Sequence, residues 1–123
     1  MQAQELVVLH CNPTIAQLLV PALRNSFPSI HHVTSVQELR ASIAKHRPSI
    51  AILDMENASL GDLQELAREF PGACIVCTHR CADEEMWAAA LNAGAWDLIC
   101  SFDTQGIVQA ALRTGLAARV AAA

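Results

Sequence analysis

Positive charge is scarce in this chain. Eight lysines and arginines stand against twelve acidic residues, the net charge is −4, and Lys45 is the only lysine. Arg24, Arg40, Arg47, Arg68, Arg113 and Arg119 are scattered through the sequence. A phosphate backbone is bound by a basic stripe, so direct nucleic-acid binding is excluded as an expectation. No apolar run approaches the roughly 20 residues of a bilayer span. The first residues, "MQAQE", lack the basic-then-apolar layout of a signal peptide. The expectation is a soluble, cytoplasmic protein with no membrane partner. Disulfide chemistry is also poorly provided for: five cysteines, an odd number without a repeated metal spacing, fit free thiols in a reducing compartment. Cys74 and Cys77 form C-x-x-C, but inside the run "ACIVC" an extended chain would turn them to opposite faces.

What the chain does have is apolar material in a regular arrangement. At 123 residues and 53% hydrophobic it suits one compact domain, 1–123, with its core in 5–116 and an alanine-rich end at 117–123. Short β-rich runs alternate with amphipathic stretches, the pattern of βα units around a parallel sheet. Strands are expected at "LVVLH" (6–10), "IHHVT" (30–34), "SIAILD" (49–54), "ACIVCT" (73–78) and "DLICS" (97–101). Asn12-Pro13 reads as an N-cap with proline at the first helical position, followed by a stripe of Ile15, Leu18, Leu19, Ala22 and Leu23. "SVQE" reads as a capping box between Ser35 and Glu38, and Gly94 as the left-handed end of the fourth helix.

An open α/β sheet binds at the carboxyl ends of its strands. That rule brings together His10, Cys11 and Asn12, then Asp54 and Glu56, then Thr78, His79 and Arg80, then Ser101 and Phe102. Asp54 ends a buried apolar strand, where an unpaired charge is expensive. Two readings stand for it: a working carboxylate, or one that caps its turn or pairs with Arg80.

At this point the chain resembles the receiver domain of bacterial two-component response regulators, over residues 5 to about 116. "HRPSIAILD" is similar to the run leading to the family's phosphoacceptor aspartate, "IVCT" to the fourth strand ending in its switch hydroxyl, and "ALNAGAWDLICSF" to its helix-glycine-alanine-strand passage. The resemblance implies a flavodoxin-like, doubly wound, five-stranded parallel sheet in order 2-1-3-4-5 with helices on both faces. It places the phosphoacceptor role on Asp54 and the hydroxyl role on Thr78.

Three departures follow. Where the family carries an acid pair for Mg²⁺, this chain has His10 and Cys11. The lysine position is Ser101. The switch-aromatic position is Leu98, in a chain with no tyrosine. Phosphoryl transfer to a carboxylate depends on positive charge against the transferring oxygens, and a hard octahedral cation needs oxygen ligands. With both acids and the lysine missing, the expected function is a receiver impaired in Mg²⁺-dependent phosphorylation, without enzymatic activity or cofactor, acting through protein–protein interaction. The alternative is a competent receiver that accepts a phosphoryl group on Asp54 from a histidine kinase, with Mg²⁺ and with Glu56 and Arg80 as compensating neighbours. A third reading, of another class, is a metal- or redox-responsive switch using His10 and Cys11, with Asp54 and His79 as further ligands. A flavodoxin-like cofactor enzyme lacks the hydroxyl-rich phosphate loop it would need.

The partner face implied by the resemblance is the fourth helix, fifth strand and fifth helix, with Trp87, Leu91, Trp96 and Ala118. Trp87 and Leu91 lie one helical turn apart. On the fifth helix Ile107, Val108, Ala111, Leu112 and Leu116 are expected on the sheet, leaving Ala110, Ala117, Ala118 and Val120 for a second apolar side. The partner is another protein, a second copy, a histidine kinase or an output domain.

Overall fold

The computed structural model describes residues 5–122, and side chains as far as residue 116. Strands and helices alternate: β1 (Glu5–Leu9), α1 (Pro13–Arg24), β2 (Ser29–Val33), α2 (Val36–His46), β3 (Ile50–Asp54), α3 (Leu60–Glu69), β4 (Cys74–His79), α4 (Glu84–Ala93), β5 (Asp97–Cys100) and α5 (Thr104–Ala122). The five strands form one parallel sheet in order β2-β1-β3-β4-β5. The expected order and alternation hold, with strand limits shifted by a residue. β1 stops at Leu9 and β2 at Val33, so His10 and Thr34 belong to the turns that follow.

Period-two alternation sorts the strand residues into two cores. Val7, Leu9, Ala51, Leu53, Ile75, Cys77 and Leu98 face α2, α3 and α4 through Leu39, Ile43, Leu63, Leu66 and Ala90. Leu6, Val8, Ile50, Ile52 and Val76 face α1 and α5 through Leu19, Leu23, Ile107, Ala110 and Ala111, with Phe27 closing that layer. Each such aliphatic side chain taken fully from water contributes about 1.5–3 kcal/mol. Burial on both faces explains why β3 and β4 read as unbroken apolar runs. Cys74 and Cys77 are both buried free thiols, and burial pushes Cys77 up to about 12, so neither is a thiolate ready for metal or redox chemistry.

Two helix faces correct the expectation. Leu18 is exposed, and the buried stripe of α1 is Ile15, Ala16, Leu19 and Leu23. On α5 the sheet is covered by Ile107, Ala110, Ala111 and Thr114, while Leu112 and Leu116 point outward at 44% and 62% exposure. The α5 run is apolar nearly all round, so composition could not choose its buried side. The side chain of Ala118 lies outside the described residues. The Ser35–Glu38 box is half formed: Ser35 accepts from the Glu38 amide, but the Glu38 carboxylate accepts from the Thr34 and Ser35 hydroxyls instead of reaching back to the backbone. The full reciprocal box is at Ser59 and Asp62, which opens α3.

Asn12 caps α1 as expected, its Oδ1 accepting from the amides of Thr14 and Ile15. Asn12→Ala should cost about 1 kcal/mol in chemical denaturation, and Asn12→Asp should restore most of it. Equal stabilities for all three proteins would mean that packing, not the cap, fixes the start of α1.

Candidate functional site

The sheet order sets the ends of β1, β3, β4 and β5 side by side, with Asp54 in register with Thr78 and His79 with Cys100. His10, Asp54, Thr78 and Ser101 therefore share the carboxyl edge, and all four are buried. Polar residues are seldom buried together without a use or a history.

Asp54 is 1% exposed. One carboxylate oxygen accepts from the Glu56 amide at 3.1 Å, and the other accepts from the Asn57 side-chain amide. Both bonds close the turn that follows β3, so Asp54 caps that turn. Arg80 does not reach it; its guanidinium donates to Glu56 instead. Both neighbours proposed as compensation are thus engaged with each other. Asn57 was not singled out from sequence, because a turn asparagine three residues past a strand carries no signal of its own.

His10 Nδ1 lies 3.7 Å from an Asp54 oxygen. The same nitrogen accepts the Asn12 backbone N–H at 3.3 Å, so it carries no proton there and the contact joins two acceptors. Burial lowers the His10 pKa, outweighing the opposing pull of Asp54 and Glu56, with His32 adding to the lowering. The ring is neutral at physiological pH. With Nδ1 unprotonated, the proton sits on Nε2, which is buried without a partner among the described residues; Thr78 Oγ1 and Ser101 Oγ are in the same condition.

Cys11 departs from the group. It is exposed, and its thiol donates to the Thr34 carbonyl at 3.0 Å, away from Asp54. Burial of its sulfur, then Asp54 and Glu38, raise its pKa, so it stays a thiol and is a poor nucleophile. It does not fill the pocket. His79, half-buried, accepts the Cys81 amide on Nδ1 and lines an open groove of about 340 Å³ with Met55, Ala58, Leu60 and Met86. Neither Asp54 nor His10 lines that groove. His10, Cys11, Asp54 and His79 do not converge as a metal-binding group; among the described residues the one group of three or more such side chains is elsewhere.

The donor set does not fit Mg²⁺. A hard cation wants several free oxygens, and this edge offers the Asp54 carboxylate already bonded twice, the Glu56 carboxylate paired with Arg80, a neutral imidazole, and a thiol turned away. Leu98 of β5 turns its side chain into the core shared with α2, α3 and α4. No cis peptide bond occurs among the described residues, so the bond before Phe102 is trans.

On the next face, Asp97 of β5 accepts from Trp87 Nε1 of α4 at 3.3 Å and pairs with Arg113 of α5 at 3.6 Å. Trp87 and Trp96 are 46% and 47% exposed and Leu91 is half-buried, so the tryptophans are more open than core-edge residues. No described helix is long and apolar enough to cross a membrane.

No protein-family model matches this sequence, and no curated protein matches it. Solved structures do. A response regulator receiver domain protein from Clostridium thermocellum superposes with a TM-score of 0.82 at 15% identity, over 95% of this chain and 98% of that one. A response regulator from Thermotoga maritima gives 0.79 at 15% identity, over 94% and 99%. The orphan response regulator HP1043 of H. pylori gives 0.79 at 12%, over 90% and 95%. The fold is that of the receiver domain, flavodoxin-like in its sheet order.

The buried neutral imidazole has a pH signature. Unfolded, His10 titrates near its ordinary 6.5, while folded it titrates lower. Between the two values the unfolded chain binds the extra proton, so stability rises with pH there and falls on acidification below about 6.5, by at most about 1.4 kcal/mol per pH unit. Replacing His10 by Gln should flatten that part of the stability–pH curve. An unchanged slope in denaturation series between pH 7 and 5 would assign it to other groups.

Proposed function

We propose that this protein is a signal-transduction module of the receiver type that is impaired in Mg²⁺-dependent aspartyl phosphorylation and works by binding other proteins. The observation that carries the reading is the state of Asp54. Its carboxylate is buried, both oxygens are bonded, and a neutral imidazole stands where a receiver has an acid for the cation. In-line transfer needs an exposed oxygen and compensating positive charge. Ser101 supplies no charge, and Arg80 is bonded to Glu56.

Partner binding falls to the α4–β5–α5 face. Trp87 and Trp96 expose large apolar groups there, Trp87 bonded to Asp97, and Leu112 and Leu116 are exposed on α5. Exposed tryptophans beside a fixed charged pair are typical of binding anchors. The partner is a second copy of the chain or another signalling protein, with a histidine kinase or output domain as the classes the fold suggests.

Acetyl phosphate with Mg²⁺, followed by intact mass, tests the first half of the proposal. No phosphoryl adduct is expected, and stoichiometric labelling abolished by Asp54→Asn would establish the competent receiver instead. For the second half, Leu116→Glu should weaken self-association in sedimentation or the capture of a receiver-linked partner by tenfold or more. A protein that is monomeric at all concentrations, with partner capture untouched by Leu116→Glu and Trp87→Ala, would remove this face from consideration.

A further inference from the structure

At the opposite end of the sheet from Asp54, a second set of polar side chains comes together. Glu5 opens β1, His31 lies in β2, and His46 ends α2. Parallel register pairs Glu5 with Ser29 and Val7 with His31. Alternation then turns Glu5, Val7 and His31 to one face, which is the face α2 covers. The last residue of α2 comes down on this corner: the imidazoles of His31 and His46 stack with centroids 3.7 Å apart and planes 11° from parallel. One ligand atom from each of the three residues lies within 4.8 Å of the others, and all three side chains are half-buried.

A further observation points to a ligand. His31 Nε2 is shielded from solvent and has no hydrogen-bond partner among the described residues. A buried nitrogen left unpaired costs free energy that a hydrogen bond or a metal would recover.

The geometry points to a zinc site formed by His31, His46 and Glu5, which would tie the β1–β2 edge of the sheet to the end of α2. Two imidazoles and one carboxylate form a borderline donor set suited to Zn²⁺, with a fourth position left for water or a group from another molecule. Tetrahedral zinc at about 2.0–2.1 Å from each donor separates the donors by about 3.3 Å. His46 at a helix end and Glu5 at a strand end close the difference by turning their side chains, and the rings tilt out of their stack so that both lone pairs meet the ion. The Asp54 pocket plays no part, so this inference stands whether or not Asp54 can be phosphorylated.

Zinc titrated into the full chain by calorimetry, with the five thiols kept reduced by a phosphine, should bind at one equivalent and raise the melting temperature. His46→Asn and Glu5→Gln, both at element ends where folding is little disturbed, should each weaken binding by tenfold or more, and so should His31→Asn. Zinc should also move the imidazole NMR signals of His31 and His46 and leave those of His10 and His79 in place. Cys11→Ser combined with Cys81→Ser should bind as the parent does. The site is refuted if the parent binds no zinc, if His46→Asn and Glu5→Gln bind it as tightly as the parent, or if binding disappears with the two cysteines. A His31→Asn protein that fails to fold leaves the other two variants and the NMR assignment to decide.

Discussion

His10→Asp should destabilise the metal-free protein by about 2–4 kcal/mol and make its stability depend on Mg²⁺, a dependence not expected of the parent. The new carboxylate would stand at the place of an imidazole whose Nδ1 is 3.7 Å from Asp54, in a buried pocket. Two like charges about 4 Å apart at an effective dielectric near 20 repel by about 4 kcal/mol, and sharing a proton relieves part of that. The sign of the pH dependence should therefore invert. In the parent, the lowered His10 pKa makes acidification below about 6.5 destabilising. In His10→Asp the acid pair takes up a proton more readily folded than unfolded, so acidification stabilises. Magnesium at a hundred times its dissociation constant would return about 2.7 kcal/mol. Adding Cys11→Asp, at an exposed position with a thiol easily spared, supplies a further oxygen. Ser101→Lys then places an ammonium where a buried hydroxyl has no partner. The triple variant should capture beryllofluoride at Asp54 when the single ones do not, because charges that act as a unit are strongly non-additive. Mg²⁺ and beryllofluoride binding by the parent would overturn the proposed function. An inert triple variant would place the obstruction in the Asp54–Asn57 turn rather than in the missing charges.

The fold was legible because it is written in two independent periods. Runs such as Ile50–Asp54 announce strands covered on both faces, and Asn12, Ser35 and Gly94 mark helix ends by chemistry that acts within a few residues. The carboxyl edge was legible too, since sheet order alone decides that His10, Asp54, Thr78 and Ser101 meet. What each side chain does there was not. Whether Asp54 bonds to Arg80 or to Asn57 depends on loop conformation, and Arg80 had a second acid, Glu56, equally near in sequence. The exposed side of α5 was misread because alanine fits either side of a helix: close approach to the sheet favours Ala110 and Ala111 over Leu112. Glu5, His31 and His46 lie on three separate elements with no motif spacing, and only the packing of α2 over β2 brings them together.

Gly94→Ala should cost about 2–5 kcal/mol, a large share of the roughly 6–18 kcal/mol expected for a domain of this size. Two causes act together. Gly94 ends α4 with φ 118° and ψ 3°, a backbone that a side chain makes costlier by about 1–2 kcal/mol. A Cβ there would also stand 2.6 Å from the Cβ of Ala67 on α3, well inside contact distance, and overpacking of that kind costs about 1–3 kcal/mol. The two causes separate in a double-mutant cycle. Ala67→Gly alone should cost about 1 kcal/mol as a glycine inside a helix. Combined with Gly94→Ala it should return the packing part but none of the backbone part, giving a coupling of about 1–3 kcal/mol. The spacing of α3 and α4 matters for the site because β5 hangs from this junction. Ala95 donates to the Ala90 carbonyl and Trp96 to that of Ile75, which starts β5 in register and carries Ser101 to the edge, where its amide donates to the His79 carbonyl. Gly94→Ala should therefore also disturb Trp96, visible as a shift in tryptophan emission in the folded variant, and Ala67→Gly should reverse the shift. If the two substitutions are instead additive in denaturation and the emission is unmoved, the close approach of α3 and α4 does not set the position of β5.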